Sequence, residues 1–251
     1  MLLMGRIKLT IEYDGSEYVG WQKQQNGRSI QEEIEICLEI LFNSKIKIYV
    51  SGRTDAGVHA LEQIAHFDLK KSHIEIKKIS NALNYLLKKS KNKITILKSE
   101  KVSTIFHSRF SVKKKIYLYK ILNRSMPSFI LENRVWHFPR LLNTGKMKKA
   151  SQVLIGKKDF NAFRSINCQA KTSIRSLEAI KIKKNKYNIE IRIFGKSFLH
   201  NQVRIIIGTL VNVGIGKWDY EKVLEILNSK DRTKAGPTAP SCGLYLEKIT
   251  Y

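Results

Sequence analysis

Apolar and polar residues alternate in several short stretches of the chain, which is the pattern of strands with one buried face. In the first stretch, Ile7, Leu9 and Ile11 alternate with polar residues. The same pattern predicts further strands over residues 45–50, 63–69, 94–97, 115–122, 189–194 and 244–249. No βαβ repeat with a glycine-rich nucleotide-binding turn is present, so we expect a mainly antiparallel sheet.

Helical spacing of apolar residues predicts helices between these strands. The clearest start is Ser29, an N-cap residue that forms a capping box with Glu32, and Asn43 marks the end of this helix. Further helices are predicted over residues 79–87, 144–155, 201–213 and 220–227. The predicted fold class is therefore α+β, with a mainly antiparallel mixed sheet flanked by helices.

The length of 251 residues suits one large domain or two small ones. Both halves mix strands and helices, and the second half opens near Phe106. We therefore predict two α+β subdomains, residues 1–106 and residues 107–251.

The chain is strongly basic, with 46 Lys and Arg against 21 Asp and Glu and a net charge of +25. Such an excess weakens the compact state unless a polyanion screens it, which indicates a nucleic-acid partner. The abundance of Lys, Ile and Asn is also what an AT-rich genome produces. Charge alone leaves both explanations open.

Cysteine and histidine placement indicates neither disulfides nor a metal site. The cysteines, Cys37, Cys168 and Cys242, are odd in number and far apart, and the histidines lack metal-ligand spacing. The longest apolar stretch, 205–215, is too short to span a bilayer. The apolar stretch at the beginning of the sequence is too short to form the core of a signal peptide. We expect a cytoplasmic protein with no membrane partner.

Asp55 is the first candidate for a catalytic residue. It follows a predicted strand, in a loop that Gly52 and Gly57 bracket. Glycines permit unusual backbone angles and close approach of a ligand, and Arg53 would help to keep the carboxylate ionised. A plain polar turn is the alternative.

Arg204 and Tyr117 are two further candidates. Arg204 borders an apolar helix face, so it needs an anionic partner such as Asp55, unless it extends along the helix flank into solvent. Tyr117 follows three lysines, a combination that suits RNA bases and phosphates. Core aromatics beneath a solvated lysine face would show the same pattern.

Residues 52–60, GRTDAGVHA, resemble the signature of the tRNA pseudouridine synthase A family. The resemblance extends in order along nearly the whole chain. It includes residues 11–15 with Tyr18 and 20–22, residues 106–110, Tyr117, residues 156–163, residues 198–208 and residues 243–246. The chain departs from the family pattern at residues 88–93 and at Gln202.

The resemblance implies a pseudouridine-synthase-like core of two related subdomains. It also implies isomerisation of uridine at positions 38, 39 and 40 of the tRNA anticodon stem-loop, by a homodimer without a cofactor. Asp55 falls on the catalytic aspartate, Arg204 on the arginine that pairs with it, and Tyr117 on the tyrosine that stacks on the target base. Arg53, Arg109 and Leu244 fall on positions expected to bind the substrate.

Two chemical routes remain open for Asp55: attack on the anomeric carbon, or removal of the 2′ proton of the ribose. Two rival functions also remain, a non-enzymatic RNA-binding protein and a pseudouridine synthase with another target position. A nuclease is disfavoured because no compact pair of histidines is present.

Overall fold

The computed structural model describes residues 2–3, 5–72 and 74–251, with only the backbone of Leu2 and Leu3. Within these residues it contains twelve strands and five α-helices. The strands are β1 (Leu2–Leu3), β2 (Arg6–Tyr13), β3 (Tyr49–Val50), β4 (His59–Asp68), β5 (Lys71–Ser72), β6 (Ile94–Val102), β7 (Lys114–Leu122), β8 (Trp136–His137), β9 (Gly156–Asp159), β10 (Ile174–Asn185), β11 (Asn188–Gly195) and β12 (Leu244–Thr250). The helices are α1 (Ile30–Phe42), α2 (Ile76–Lys89), α3 (Thr144–Ser151), α4 (Gln202–Gly214) and α5 (Tyr220–Ser229).

The chain folds into two compact units. Unit 1 comprises the chain up to Lys113 together with Leu246–Tyr251, and unit 2 comprises Lys114–Tyr245. The division after residue 106 stays a prediction about the subdomains.

In unit 1, β2 lies between β6 and β4 and is antiparallel to both, and β3 also pairs with β4 in antiparallel fashion. Ile7, Leu9 and Ile11 of β2 are completely buried, which confirms the face predicted from their alternation. Helix α2 packs against β6 and against α1. Helix α1 begins after Ser29, whose hydroxyl accepts the N–H of Glu32, as predicted.

In unit 2, the strands β7, β11, β10 and β9 follow one another in the sheet, each antiparallel to the next. The short β8 pairs with β7 in parallel, so the sheet is mixed. Ile189, Ile191 and Ile193 of β11 are fully buried on one face. Helices α3, α4 and α5 complete this unit, and the predicted α+β class is confirmed.

Two elements are shorter in the structure than the sequence predicts. The strand expected over 45–50 is reduced to β3, because the backbone N–H of Ile48 donates to the Glu35 carboxylate at 3.0 Å instead of to a neighbouring strand. The helix expected over 144–155 ends as α3 at Ser151 and continues as a 3₁₀ turn over Gln152–Leu154. The longest strand, β10, was not predicted.

No helix in the described part of the chain combines the length and apolar character needed to cross a membrane.

Candidate active site

The loop that carries Asp55 connects β3 to β4 and has its backbone held on both sides of this residue. The N–H of Trp21 donates to the carbonyl of Thr54 at 3.0 Å, and the N–H of Val58 donates to the carbonyl of Asp55 at 3.1 Å. Asp55 also forms an isolated β-bridge with Gly20. The position of the Asp55 side chain is therefore set by a fixed backbone rather than by a mobile loop.

Gly20 is required for this arrangement. Its φ of 111° lies in the region that favours glycine, and a Cβ atom at this position would lie 2.6 Å from the carbonyl oxygen of Thr54. A side chain here would push the Asp55 loop away. Gly20 thus contributes to the site indirectly, because its lack of a side chain lets the Asp55 loop pack against it.

A buried polar network lies beneath the same loop. The Tyr13 hydroxyl bonds the Thr54 hydroxyl at 2.7 Å, and the Gln63 amide donates to the carbonyl of Gly52 at 2.9 Å. Ser51 donates to the other end of the Gln63 amide at 2.9 Å. Burial raises the pKa of Tyr13 to about 12, so its hydroxyl stays neutral and available for this bond.

Sequence reasoning missed Tyr13 and Gln63 as supports of the loop. The sequence held a signal for Gln63, because this polar residue shares a face of the predicted strand 63–69 with Ala65 and Phe67, and a glutamine buried there must satisfy its amide within the protein. Asp55 itself is half-buried, whereas Arg53 beside it is exposed.

In unit 2, Tyr117 and Tyr119 lie on the same face of β7, as the alternation predicted, opposite Ile193 and Ile191 of β11. Tyr117 is 9% exposed, and its ring meets Phe198 edge-on with 5.0 Å between centroids. Tyr119 is completely buried and donates its hydroxyl to the carbonyl of Pro240 at 2.8 Å. Of the two, Tyr117 is the ring nearer to the surface.

Arg204 lies in the first turn of α4 and is oriented by the loop that precedes β12. Its Nε donates to the carbonyl of Ala239 at 2.6 Å, and its Nη1 donates to Oδ1 of Asn201 at 2.9 Å. The N–H of Ala239 in turn donates to the carbonyl of Arg204 at 3.1 Å. Both partners are neutral oxygens, and together they orient the guanidinium.

The loop of residues 235–240 lies directly on α4. A Cβ atom at Gly208 would lie 1.8 Å from the carbonyl oxygen of Pro237, and the N–H of Gly236 donates to the Thr209 hydroxyl at 3.0 Å. This close packing places Ala239 where it bonds Arg204. Leu244 follows at the start of β12 and is 5% exposed.

The six predicted site residues are divided between the two units. Arg53 and Asp55 share one loop of unit 1, and Arg109 lies in an exposed turn of the same unit that follows β6. Tyr117, Arg204 and Leu244 belong to unit 2. Among the residues that the structure describes, no group of three or more His, Cys, Asp or Glu side chains is arranged to hold a metal ion.

Comparison with known proteins identifies the family. The family model described as tRNA pseudouridine synthase matches residues 9–111 and 150–251. The chain is 47% identical to the tRNA pseudouridine synthase A of Neorickettsia sennetsu, over 98% of this chain and the whole of that protein. The corresponding proteins of Wolbachia pipientis wMel and Maricaulis maris are 47% and 40% identical over 98% and 99% of this chain, and over 100% and 98% of their own lengths. The chain therefore belongs to the tRNA pseudouridine synthase family of isomerases.

Proposed function

We propose that this enzyme converts uridine to pseudouridine at positions 38, 39 and 40 of the tRNA anticodon stem-loop, with Asp55 as the catalytic carboxylate. The observation that carries the proposal is the Asp55 loop, whose backbone is bonded at Thr54 and Asp55 and supported by Gly20. A rigid, half-buried carboxylate on a strongly basic protein is suited to chemistry on RNA rather than to simple RNA binding, because a carboxylate repels phosphate.

The reaction exchanges one bond of the base for another. The bond between C1′ of the ribose and N1 of the uracil breaks, the base turns, and C5 bonds C1′ while its hydrogen leaves as a proton and N1 gains one. An ionised Asp55 assists either by attacking C1′ or by taking the 2′ proton, and both routes need the carboxylate form.

We assign the remaining residues the following roles. Arg204 pairs with Asp55 and balances its negative charge, with the guanidinium oriented by Ala239 and Asn201. Tyr117 stacks on the detached base and takes part in removal of the C5 proton, and Leu244 forms the apolar floor of the pocket. Arg53 and Arg109 bind the RNA.

A target in a helical stem must leave its stack before the chemistry begins. Extrusion of one nucleotide costs a few kcal/mol, which contacts to the flipped base and its phosphates must offset. The exposed Arg53, two residues before Asp55, is placed to contact such a nucleotide. We further propose that the enzyme acts as a cytoplasmic homodimer and uses no cofactor.

Release of tritium from tRNA labelled at uridine C5 tests this function, because C5 loses its hydrogen when pseudouridine forms. We expect release by the wild type, none by Asp55→Asn, and a strong reduction by Arg204→Leu, with tRNA binding retained by Asp55→Asn. Asp219→Asn is the matched control: Asp219 caps α5 through the N–H of Lys222 at 2.8 Å, and asparagine is an equally good cap.

Full activity of Asp55→Asn would exclude the proposed role of Asp55. If the wild type and all variants bound tRNA but none released tritium, the result would favour a non-enzymatic RNA-binding protein. Sequencing of the modified uridines in tRNA from cells that lack the protein tests the proposed positions, and loss of pseudouridine elsewhere would replace them.

A further inference from the structure

Unit 1 presents a group of aromatic and cationic side chains of which the proposed function uses only Arg109. We call it the stacking surface and define it as Lys47, Tyr49, His107, Arg109 and Phe110. Phe110 is 73% exposed and Tyr49 is 42% exposed. Single exposed apolar residues are common, so exposure by itself indicates nothing. The arrangement of the five residues is what requires an explanation.

The three rings form a continuous series. The centroids of His107 and Phe110 are 4.4 Å apart with 38° between the ring planes, and those of Tyr49 and His107 are 6.0 Å apart. Tyr49 also stacks on the buried His66 at 5.2 Å and 22°, and the centroid of His66 lies 4.8 Å from that of His107. The exposed rings at both ends of the series are therefore backed by a third and a fourth ring.

A cation accompanies each exposed ring. The Arg109 guanidinium lies 5.6 Å from the centroid of Phe110, and the Lys47 ammonium lies 5.7 Å from that of Tyr49. Aromatic faces with adjacent cations are the means by which proteins hold single-stranded nucleic acid: bases stack on the rings and phosphates meet the charges.

The surface rests on a rigid support. Ser108, between His107 and Arg109, is completely buried, donates its N–H to Nδ1 of His66 at 3.2 Å and its hydroxyl to the carbonyl of Tyr49, and accepts the hydroxyl of Tyr251 at its carbonyl at 2.7 Å. The turn is therefore bonded to β3, to β4 and to the end of the chain.

Arg6 fixes the chain just before the turn. Its Nη1 donates to the carbonyls of Thr104 and Phe106 at 2.8 and 2.7 Å, while Nε and Nη2 make two bonds of 2.8 Å to Asp68. A preorganised surface loses little conformational entropy when a ligand binds, which favours affinity. The exposed ring of Phe110 therefore has a fixed position, as a binding surface requires.

We propose that the stacking surface binds unpaired nucleotides of the substrate RNA, with Phe110 and Tyr49 stacked on bases and Arg109 and Lys47 on phosphates. The net charge of +25 makes RNA, rather than an apolar protein segment, the complementary partner. The proposal rests on the proposed function only in taking the RNA to be tRNA. It adds an RNA-contacting surface whose rings are distinct from Tyr117.

The test compares the affinity of the full-length protein for substrate tRNA and for an unstructured oligouridylate. Phe110→Ala is expected to weaken both by about 5- to 150-fold, the range for one base stacked on an aromatic side chain. Phe110→Trp is expected to retain the affinity and to show quenching of the added indole fluorescence when RNA binds. Phe129→Ala, which removes a ring that is 86% exposed in unit 2, is the matched control with no expected change.

Salt dependence separates the rings from the charges. Arg109→Gln is expected to reduce the slope of log K against log salt by about 0.7–0.9, the contribution of one phosphate contact, whereas Phe110→Ala leaves the slope unchanged.

Unchanged affinity of Phe110→Ala, or an equal loss in Phe129→Ala, would overturn the proposal. A change of oligomeric mass in Phe110→Ala without a change in RNA affinity would do so as well, because it would assign the surface to a second copy of the chain. If the wild type released no tritium from any tRNA while Phe110→Ala still weakened RNA binding, the proposed function would fail and the stacking surface would stand.

Discussion

His66 is a buried histidine whose environment opposes protonation. It is 1% exposed, and burial together with the nearby Arg6 and His107 lowers its pKa to about 4. Its Nδ1 accepts the N–H of Ser108, so the neutral form is the one that the fold uses. A proton on Nδ1 would break this bond and place an unpaired charge in the interior.

Acidification is therefore expected to destabilise the protein through His66. The unfolded state binds the proton with an ordinary pKa near 6.5 and the folded state only near 4, so the stabilisation is present above pH 6.5 and declines as the pH falls through this window. The expected loss in the free energy of unfolding is about 2 kcal/mol between pH 7 and pH 5. Urea denaturation at the two pH values measures it.

His66→Gln is the control for that measurement. Glutamine retains an acceptor for Ser108 but has no charge to gain, so the variant should lose clearly less stability than the wild type over the same interval. Equal losses in both proteins would show that other groups cause the pH dependence.

Helix α4 and the loop of residues 235–240 form the element that orients Arg204. The helix was predicted over 201–213 and is observed over Gln202–Gly214, because its apolar spacing is a local property of the sequence. The proximity of Pro237 to Gly208 is not local. It results from packing between segments about thirty residues apart, and no periodicity in either segment indicates it.

Two glycines of α4 allow a matched comparison. Gly208→Ala would place a methyl group 1.8 Å from the backbone oxygen of Pro237, whereas Gly214→Ala meets only the flexible ends of Leu142 and Met147 at 2.9 Å. We expect Gly208→Ala to cost about 1–3 kcal/mol despite the better helix propensity of alanine, and Gly214→Ala clearly less. Thermal denaturation of the two variants measures the difference. Equal stability of the two variants would contradict the close packing of Gly208 against Pro237.

Strand β10 was not predicted from the sequence because its buried residues do not alternate regularly. Its buried residues include Leu177, Ile180 and Ile182, so the spacing changes from three to two along the strand. A register shift against β11 between Leu177 and Ala179 causes the change. A bulge interrupts the alternation on which strand prediction depends, although the strand continues.

At the scale of the whole molecule, the net charge of +25 dominates the interaction with RNA. Each phosphate that a Lys or Arg neutralises releases counterions, so affinity falls steeply with salt. For B-DNA, 6–10 such contacts reduce affinity by roughly 10³–10⁵ between 50 and 200 mM salt, and the loss is somewhat smaller for RNA.

Equilibrium binding of tRNA over this range of salt is expected to show a steep linear decrease of log K with log salt. The reason is the large number of contacts that so basic a protein makes with phosphates. An affinity that does not change with salt would show that the excess of Lys and Arg reflects the base composition of the genome and does not contribute to RNA binding.

Local patterns along the sequence determined the buried face of β2, the start of α1 at Ser29 and the glycine-bracketed loop that carries Asp55, because each depends on residues within a few positions of one another. The resemblance to known synthases added the family. Tertiary structure alone decided that Ala239 orients Arg204, that Tyr13 and Gln63 support the Asp55 loop, and that Tyr49 meets His107. Most of these contacts join residues 35 or more positions apart, and the contact of Gln63 joins the two sides of one loop. They arise only when the strands pair and the side chains pack together.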